Sequence, residues 1–378
     1  MKNVVIAGYV RSPFGLARKG DLARVRPDDL AAQVVRALVE RSRVKAADLE
    51  DLIMGCAFPE GEQGFNIGRA VGLLAGLPLS VAGMTVNRYC GSSMQSIHIA
   101  AGQIQLGAGE AFIAAGVESM SRVPMMGFNP LPNPAFAKTR PGALLGMGDT
   151  AENVARQWDI GRQEQEAFAL RSQRLTAEAQ AAGRLDDEIV AIDTGKSLVT
   201  RDGCPRPDTT AEALAALKPA FDAHGTVTAG TSSPLTDGAS AVLVTSEDYA
   251  DRNGLTPLAR VVSVAVAGCE PEIMGIGPVA ATRKALNRAG LTIDDIDIVE
   301  LNEAFASQAL ACVRELGIRE ETLNIDGGAI ALGHPLGATG ARITGKAASL
   351  LVREGKRYAL ATQCIGGGQG IATILERV

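Results

Sequence analysis

The chain repeats itself, and nothing else in its sequence narrows the possible folds as much. The stretch Ala46-Ala47-Asp48-Leu49-Glu50-Asp51-Leu52 matches Ile293-Asp294-Asp295-Ile296-Asp297-Ile298-Val299 at an offset of 247. At that offset Arg36 meets Arg283, Cys90 meets Gly337 and Val117 meets Cys364. Both copies keep one order: helix, acidic turn, strand, glycine-rich helix start, strand. A constant register over about eighty residues, Arg36 to Val117, predicts an internal duplication. Two similar halves packed together would bring the helix start at Cys90 opposite the loops of the second half.

Short β-type runs alternate with longer helical patterns, which predicts a parallel sheet with crossover helices. Val4 to Tyr9 reads as a strand. Pro27-Asp28-Asp29 opens a helix through about Arg41, with proline in the first turn and acids at the positive end. Leu52 to Cys56, a run ending in Thr85-Val86, and Ala111 to Val117 read as strands, the last two buried. Gly68 to Leu74 and Met94 to Leu106 read as helices, the second entered through the turn and N-cap residues Gly91-Ser92-Ser93. From Met120 the character changes. Prolines 124, 130, 132, 134 and 141 make a long irregular passage. Thr150-Ala151-Glu152 then reads as a helix cap and Gln163 to Ala182 as a strongly amphipathic helix. This excursion reads as a subdomain inserted into the scaffold. The predicted organisation is residues 1–119 plus 235–258 as the first half, 120–234 as an inserted loop domain, and 259–378 as the second half.

Composition limits the partners. A net charge of −5 and the lack of a basic run argue against a nucleic-acid binder. The longest uncharged stretch, Ala359 to Leu375, is broken by Gln363, Gln369 and four glycines, so it does not read as a membrane span. No signal-peptide pattern precedes Val4 to Tyr9. The six cysteines (56, 90, 204, 269, 312, 364) lack metal spacing and read as free thiols in a reducing, cytoplasmic setting. With histidine only at 98, 224 and 334, a dedicated metal site is not expected.

Four stretches carry candidate chemistry. Cys90, between a strand and a helix start, would face free amides and a positive helix end that favour thiolate. A small buried cysteine fits the same stretch equally well. Asn302, in Leu301-Asn302-Glu303-Ala304-Phe305-Ala306, follows a strand. His334 sits in the glycine-rich turn Gly327 to Gly337 at a helix start, where it could act on a ligand or satisfy loop carbonyls. Cys364 follows the strand Tyr358 to Gln363 and leads into Ile365-Gly366-Gly367-Gly368-Gln369-Gly370. Strand ends are where α/β sheets place ligands. Gly340 to Lys346 has most of a phosphate-loop pattern, but it lies inside a helical run and reads as accidental.

The motifs Asn87-Arg88-Tyr89-Cys90-Gly91-Ser92-Ser93, Asn302-Glu303-Ala304-Phe305, Gly333-His334-Pro335 and Cys364-Ile365-Gly366-Gly367-Gly368 resemble those of the thiolases, most closely the degradative 3-ketoacyl-CoA thiolases. Val227-Thr228-Ala229-Gly230 and Met147-Gly148 support the resemblance, which spans the whole chain. It implies a five-layered α/β/α/β/α fold of two duplicated halves, with the inserted loop domain binding coenzyme A. It also implies Cys90 as acylated nucleophile, His334 as its base and Cys364 as the acid/base at carbon. One oxyanion pocket would be His334 with an Asn302-held water, and the other the backbone N–H groups of Cys90 and Gly366. Ser233, Met147, Arg206 and Ala229 are the implied acyl and CoA contacts. CoA is then a co-substrate and no cofactor is permanently bound.

Gly146, where the short-chain biosynthetic branch usually has histidine, and Ser92-Ser93-Met94 favour fatty-acid β-oxidation over cleavage of acetoacetyl-CoA alone. A ketosynthase would want a second histidine where Cys364 stands, and a non-catalytic lipid carrier or scaffold would need none of these groups. The resemblance further implies a homodimer or homotetramer, with a hydratase/dehydrogenase subunit as a possible partner. Ala111 to Val117, nearly free of charge, is the expected strand for pairing across a two-fold axis.

Overall fold

The computed structural model describes residues 2–378. The first half runs β1 (Val4–Arg11), α1 (Pro27–Ser42), β2 (Asp51–Gly55), α2 (Ile67–Leu74), β3 (Ala82–Val86), α3 (Ser92–Leu106) and β4 (Ala111–Ser119). After an excursion holding α4 (Met147–Gln157) and α5 (Arg162–Ala181), β5 (Thr236–Ser246) closes it. The second half runs β6 (Ala259–Gly268), α6 (Gly277–Ala289), β7 (Ile298–Leu301), α7 (Ala306–Leu316), α8 (Leu336–Arg353), β8 (Tyr358–Ile365) and β9 (Gln369–Glu376). The duplication shows in the element boundaries: α1 and α6 end at 42 and 289, β2 and β7 start at 51 and 298, and β4 and β8 start at 111 and 358, each 247 apart.

The main sheet has the order β7-β8-β9-β6-β1-β5-β4-β2-β3. Among the described residues its halves meet in a short ladder, Val5 paired with Arg260 and Ile6 with Ala259. Three cores make the layers. Leu30, Val34 and Leu38 of α1 cover one face of the first half-sheet, against Leu52, Met54 and Ile113. On α6, Val279, Ala285 and Leu286 cover the second, against Ala265, Leu360 and Ile374. Between the half-sheets lie α3 (Met94, Ile97, Ile104) and α8 (Ala341, Ile343, Ala347), touching Phe112 and Val242 on one side and Ala359 and Ile371 on the other. The result is the expected five-layered α/β/α/β/α stack.

The helix α8 is the axis of this packing and is buried from Leu336 to Ala348. It can approach α3 because Gly340 has no side chain; a Cβ there would lie 2.3 Å from the Met94 nitrogen. Its buried cations are paired, Lys346 with Asp326 at 2.8 Å and Glu188 at 3.0 Å, and Arg342 with Glu300 at 3.5 Å. Lys346 is therefore spent on holding the excursion against the second half, and the phosphate-loop pattern lies inside the helix.

Several expectations need correction. The sheet is mixed: β2–β3, β2–β4 and β7–β8 are parallel, whereas β1–β5, β4–β5, β6–β9 and β8–β9 are antiparallel. Hydrophobic runs do not encode strand direction, and the tight β8–β9 hairpin needs no crossover helix. Ala111 to Val117 is an interior strand, fully buried between β2 and β5, so it cannot pair across an axis. The edge is β3, whose residues are half-buried or exposed rather than core. Thr150 lies inside α4, which is entered at Gly146 with the Asp149 carboxylate accepting from the Gly146 N–H at 3.2 Å. Ser92 and Ser93 lie inside α3 behind Gly91, and neither caps it. The buried face of α5 is polar as well as apolar, with Gln165, Ser172, Gln173 and Thr176 beside Phe168 and Ala169. No helix among the described residues is long and apolar enough to cross a membrane.

Candidate active site

The segment before α3 is a tight turn. Tyr89 takes a left-handed φ of 43°, uncommon for a residue with a side chain. The turn is held by Ser92 Oγ, which accepts from the Arg88 N–H at 2.9 Å and donates to the Tyr89 carbonyl at 2.6 Å. Cys90 is thereby lifted to the wall of a cavity of about 210 Å³ that it shares with His334 and Cys364. The N–H groups of Gly366 and of Cys90 itself donate toward the Cys90 sulfur. These two donors do not offset burial, which pushes the thiol up to about 11, with Glu118 adding to the rise. On this balance desolvation outweighs the amides, which counts against the helix-start argument for a resting thiolate.

His334 is placed by glycine and threonine. Gly333, at φ 99°, lies so close to Thr236 that a Cβ would meet Oγ1 at 2.5 Å, and the same Oγ1 accepts from the His334 N–H at 3.1 Å. The Thr339 hydroxyl donates to the Pro335 carbonyl at 3.0 Å, so toward the ring it can only accept. It lies 2.6 Å from His334 Nδ1, which places the ring proton on Nδ1 and leaves Nε2 unprotonated. Asn302 Nδ2 approaches that Nε2 at 3.4 Å. Burial, with Arg342 adding, lowers the ring to about 3, so it is neutral near pH 7. An unprotonated Nε2 in a cavity with a thiol can receive the thiol's proton.

Cys364 lies within the last turn of ladder in β8, opposite Gly370, rather than beyond the strand. The hairpin extends the strand because Gly367 and Gly368, at φ 81° and 80°, make the reversal. Burial, then neighbouring Cys90, pushes the Cys364 thiol well above its ordinary range, which keeps it protonated and able to donate.

The cavity is otherwise apolar, with Met120, Met147, Met274 and Phe305 on its wall. Ser233 lines it too, its N–H and hydroxyl both directed to the Ala304 carbonyl at 3.0 and 3.1 Å. Of the expected acyl and CoA contacts, Met147 and Ser233 therefore reach the cavity. Arg206 and Ala229 do not line it; both are solvent-exposed on the excursion. A larger cavity of about 440 Å³ lies elsewhere, beside α1 and the end of α8. Its Arg184, Lys346 and Arg353 are already paired with Asp326, which leaves it no evident chemistry.

Sequence reasoning missed the residues that hold this geometry. Thr339 is one; a hydroxyl five residues after the histidine, one turn into the helix, was the available signal. Glu118 is another. Its buried carboxylate accepts from the N–H groups of Ala57 and Gly337 at 2.8 and 2.9 Å and from Gln63 Nε2 at 2.7 Å, tying β4 to the start of α8. Glu303 fixes the Asn302 loop through Ser172, Asn324 and the Ile330 N–H at 2.6, 2.8 and 3.1 Å. Glu118 is a single acid in a long apolar run, a pattern with no local reading, and Glu303 stands inside the Asn302-Glu303-Ala304-Phe305 motif, where nothing local distinguishes its role from that of its neighbours.

Comparison with known proteins agrees with this arrangement. Residues 4–248 match the model described as "Thiolase, N-terminal domain", and residues 255–377 match "Thiolase, C-terminal domain". A protein of Bacillus subtilis (strain 168) named 3-ketoacyl-CoA thiolase is 49% identical over 389 residues, covering all of both chains. Proteins of the same name from Marinomonas sp. (strain MWYL1) and Idiomarina loihiensis are 51% and 50% identical, covering all of this chain and 98% and 100% of theirs.

Proposed function

The chain belongs to the thiolase family, and from that premise we propose that it is an acetyl-CoA C-acyltransferase that cleaves 3-ketoacyl-CoA with CoA in fatty-acid β-oxidation. The observation that carries the reading is that Cys90, His334 and Cys364 line one cavity. Cys90 passes its proton to His334 Nε2 as its sulfur bonds to C3 of the substrate. With the thiol near 11 and the imidazole near 3, transfer accompanies attack rather than preceding it. The Cys90 and Gly366 N–H groups receive the oxyanion formed at C3. The C2–C3 bond then breaks, and its electron pair leaves with the acetyl-CoA enolate. His334 Nε2–H, with Asn302 and its water, holds the enolate oxygen while Cys364 gives C2 a proton.

The acyl group is left on Cys90 as a thioester. Incoming CoA gives its thiol proton to Cys364 and attacks that thioester. Cys90 departs and recovers its proton from His334. Every group ends as it began, and the products are acetyl-CoA and an acyl-CoA two carbons shorter. Four methionines at the cavity, Met120, Met125, Met147 and Met274, favour acyl chains of several lengths over the four-carbon substrate alone, because unbranched thioethers repack cheaply. Ser233 and the exposed Arg206 and Ala229 are assigned to CoA, which is a co-substrate.

The protein is assigned to the cytoplasm on its six free cysteines, and to a homodimer or homotetramer on its open β3 edge. Phe65, fully exposed and next to Asn66, which bonds the Gly83 carbonyl of β3 at 2.9 Å, adds apolar surface to that edge. An active monomer by light scattering would remove the assembly assignment.

The decisive experiment is incubation with acetyl-CoA followed by peptide mapping, which should place one acetyl group on Cys90. Acetylation at Cys364 alone would overturn the mechanism. Thiolysis rates across a ladder of 3-ketoacyl-CoA lengths would separate the broad enzyme from one restricted to acetoacetyl-CoA.

A further inference from the structure

The oxyanion pocket at Cys90 has a construction problem. One of its donors, the Cys90 N–H, belongs to the first half, and the other, the Gly366 N–H, belongs to the second. Such donors must sit about 2.7–3.1 Å from the developing charge, and a displacement of a few tenths of an ångström already weakens them. Gly366 opens the Gly367–Gly368 reversal, and Cys90 follows a residue held at positive φ. Something has to lock one half to the other at this point.

Gln363 does so. Its Nε2 donates to the Cys90 carbonyl, joining β8 to the nucleophile turn across the halves. The side chain is fully buried. Its neighbours along that face of β8, Ala361 and Ile365, are apolar and pack into the central layer with Met94 and Ile97 of α3. A primary amide there is expensive unless its hydrogen bond matters, and its Oε1 has no protein partner among the described residues. A second bond runs beside it: Arg88 Nη1 donates to Gln369 Oε1 at 2.8 Å, and Gln369 pairs with Ile365 at the hairpin end. The nucleophile turn is thus tied on both sides to the strand pair that presents Gly366.

Building on the acyltransferase reading, we infer that Gln363 is a positioning residue that fixes the Cys90 backbone so that its N–H and that of Gly366 converge on one oxyanion. It touches no substrate and acts through the Cys90 carbonyl. The reaction that reads it is acetyl transfer from acetyl-CoA. The Cys90 S–C bond forms and the CoA S–C bond breaks; the Cys90 proton goes to His334, and Cys364 gives its proton to the departing CoA sulfur, the reverse of deacylation. That step passes through a tetrahedral oxyanion. Alkylation of Cys90 by iodoacetamide displaces iodide and forms none.

The test is Gln363→Met, which keeps length and the sheet ladder and removes the donor. Acetyl-enzyme formation should fall about 10- to 10²-fold, in kcat rather than KM, while alkylation of Cys90 at fixed pH stays within about twofold. Equal loss in both reactions would reveal general damage and overturn the inference, as would no loss in either. Gln363→Asn, which withdraws the amide by one methylene, serves if the methionine variant does not fold; the same split is expected and the same outcomes refute it. Failure of the functional reading looks different: wild type itself would not acetylate at Cys90, and the inference would fall with it.

Discussion

The two halves share a scaffold and, on the proposed mechanism, divide the chemistry. At the 247-residue offset, α3 and α8 end together at 106 and 353, and Cys90 stands where the second half has Gly337. On the proposed mechanism the first half spends its helix start on the nucleophile. The second spends its own on the His334 turn and supplies Asn302 past β7 and Cys364 in β8. Their edges differ as well: β3 is open, whereas Val299 of β7 makes a bridge to Leu323 on its outer side. What the difference teaches is that packing two copies face to face makes a site neither contains. A thiol pushed up to about 11 and an imidazole lowered to about 3 are each inert alone, and they become useful only across the seam.

The largest effect should come from removing the first half's contribution. Cys90→Ser lacks the thiol, so no acetyl-enzyme should appear by intact mass and thiolysis should drop by ~10⁴-fold or more. Removal of the second half's acid should be selective. Cys364→Ser keeps Cys90 and His334, so acetylation from acetyl-CoA should persist at a reduced rate while carbon–carbon cleavage falls ~10²- to 10⁴-fold. Cleavage near wild type would show that both halves do not share the chemistry as described.

The protonation state of the pair can be read directly. With Cys90 raised to about 11 by burial, the thiolate fraction grows nearly tenfold per pH unit below that value. Iodoacetamide inactivation should therefore climb from pH 7 to 10 without levelling. A plateau near neutrality would mean a resting thiolate–imidazolium pair. Thr339→Val removes the acceptor for His334 Nδ1 and frees the ring to take the other tautomer. Loss of one such bond, worth about 1–1.5 kcal/mol, should lower kcat about tenfold with KM little changed.

The smallest effect tests stability rather than catalysis. His98 of α3 meets Thr373 Oγ1 of β9 at 2.8 Å, and burial with Arg88 lowers it to about 3. The unfolded chain takes up this proton near pH 6.5 and the folded one only near 3. The contribution to stability is thus present above 6.5 and is lost as pH falls toward 3. His98→Gln should flatten the melting temperature between pH 6.5 and 4 by about 1–2 °C relative to wild type. An unchanged acid limb would show that this tie between the halves is not titrating.

Much of this could be read from residues in a row. The register linking 46–52 to 293–299 located the duplication, because a helix, an acidic turn and a strand each leave a local period. Cys90, Asn302, His334 and Cys364 were legible because each sits in a short motif at an element end. Tertiary structure decided the rest. Strand direction, and the choice of β3 rather than β4 as the open edge, depend on which strands become neighbours, and side-chain alternation does not record that. The resting thiol was decided by burial, which a local helix-end argument cannot weigh. Thr339 acts on a histidine five residues away, within its own half, whereas Glu118 and Gln363 act through partners 219 and 273 residues away, and those two bonds exist only once the two halves have closed on each other.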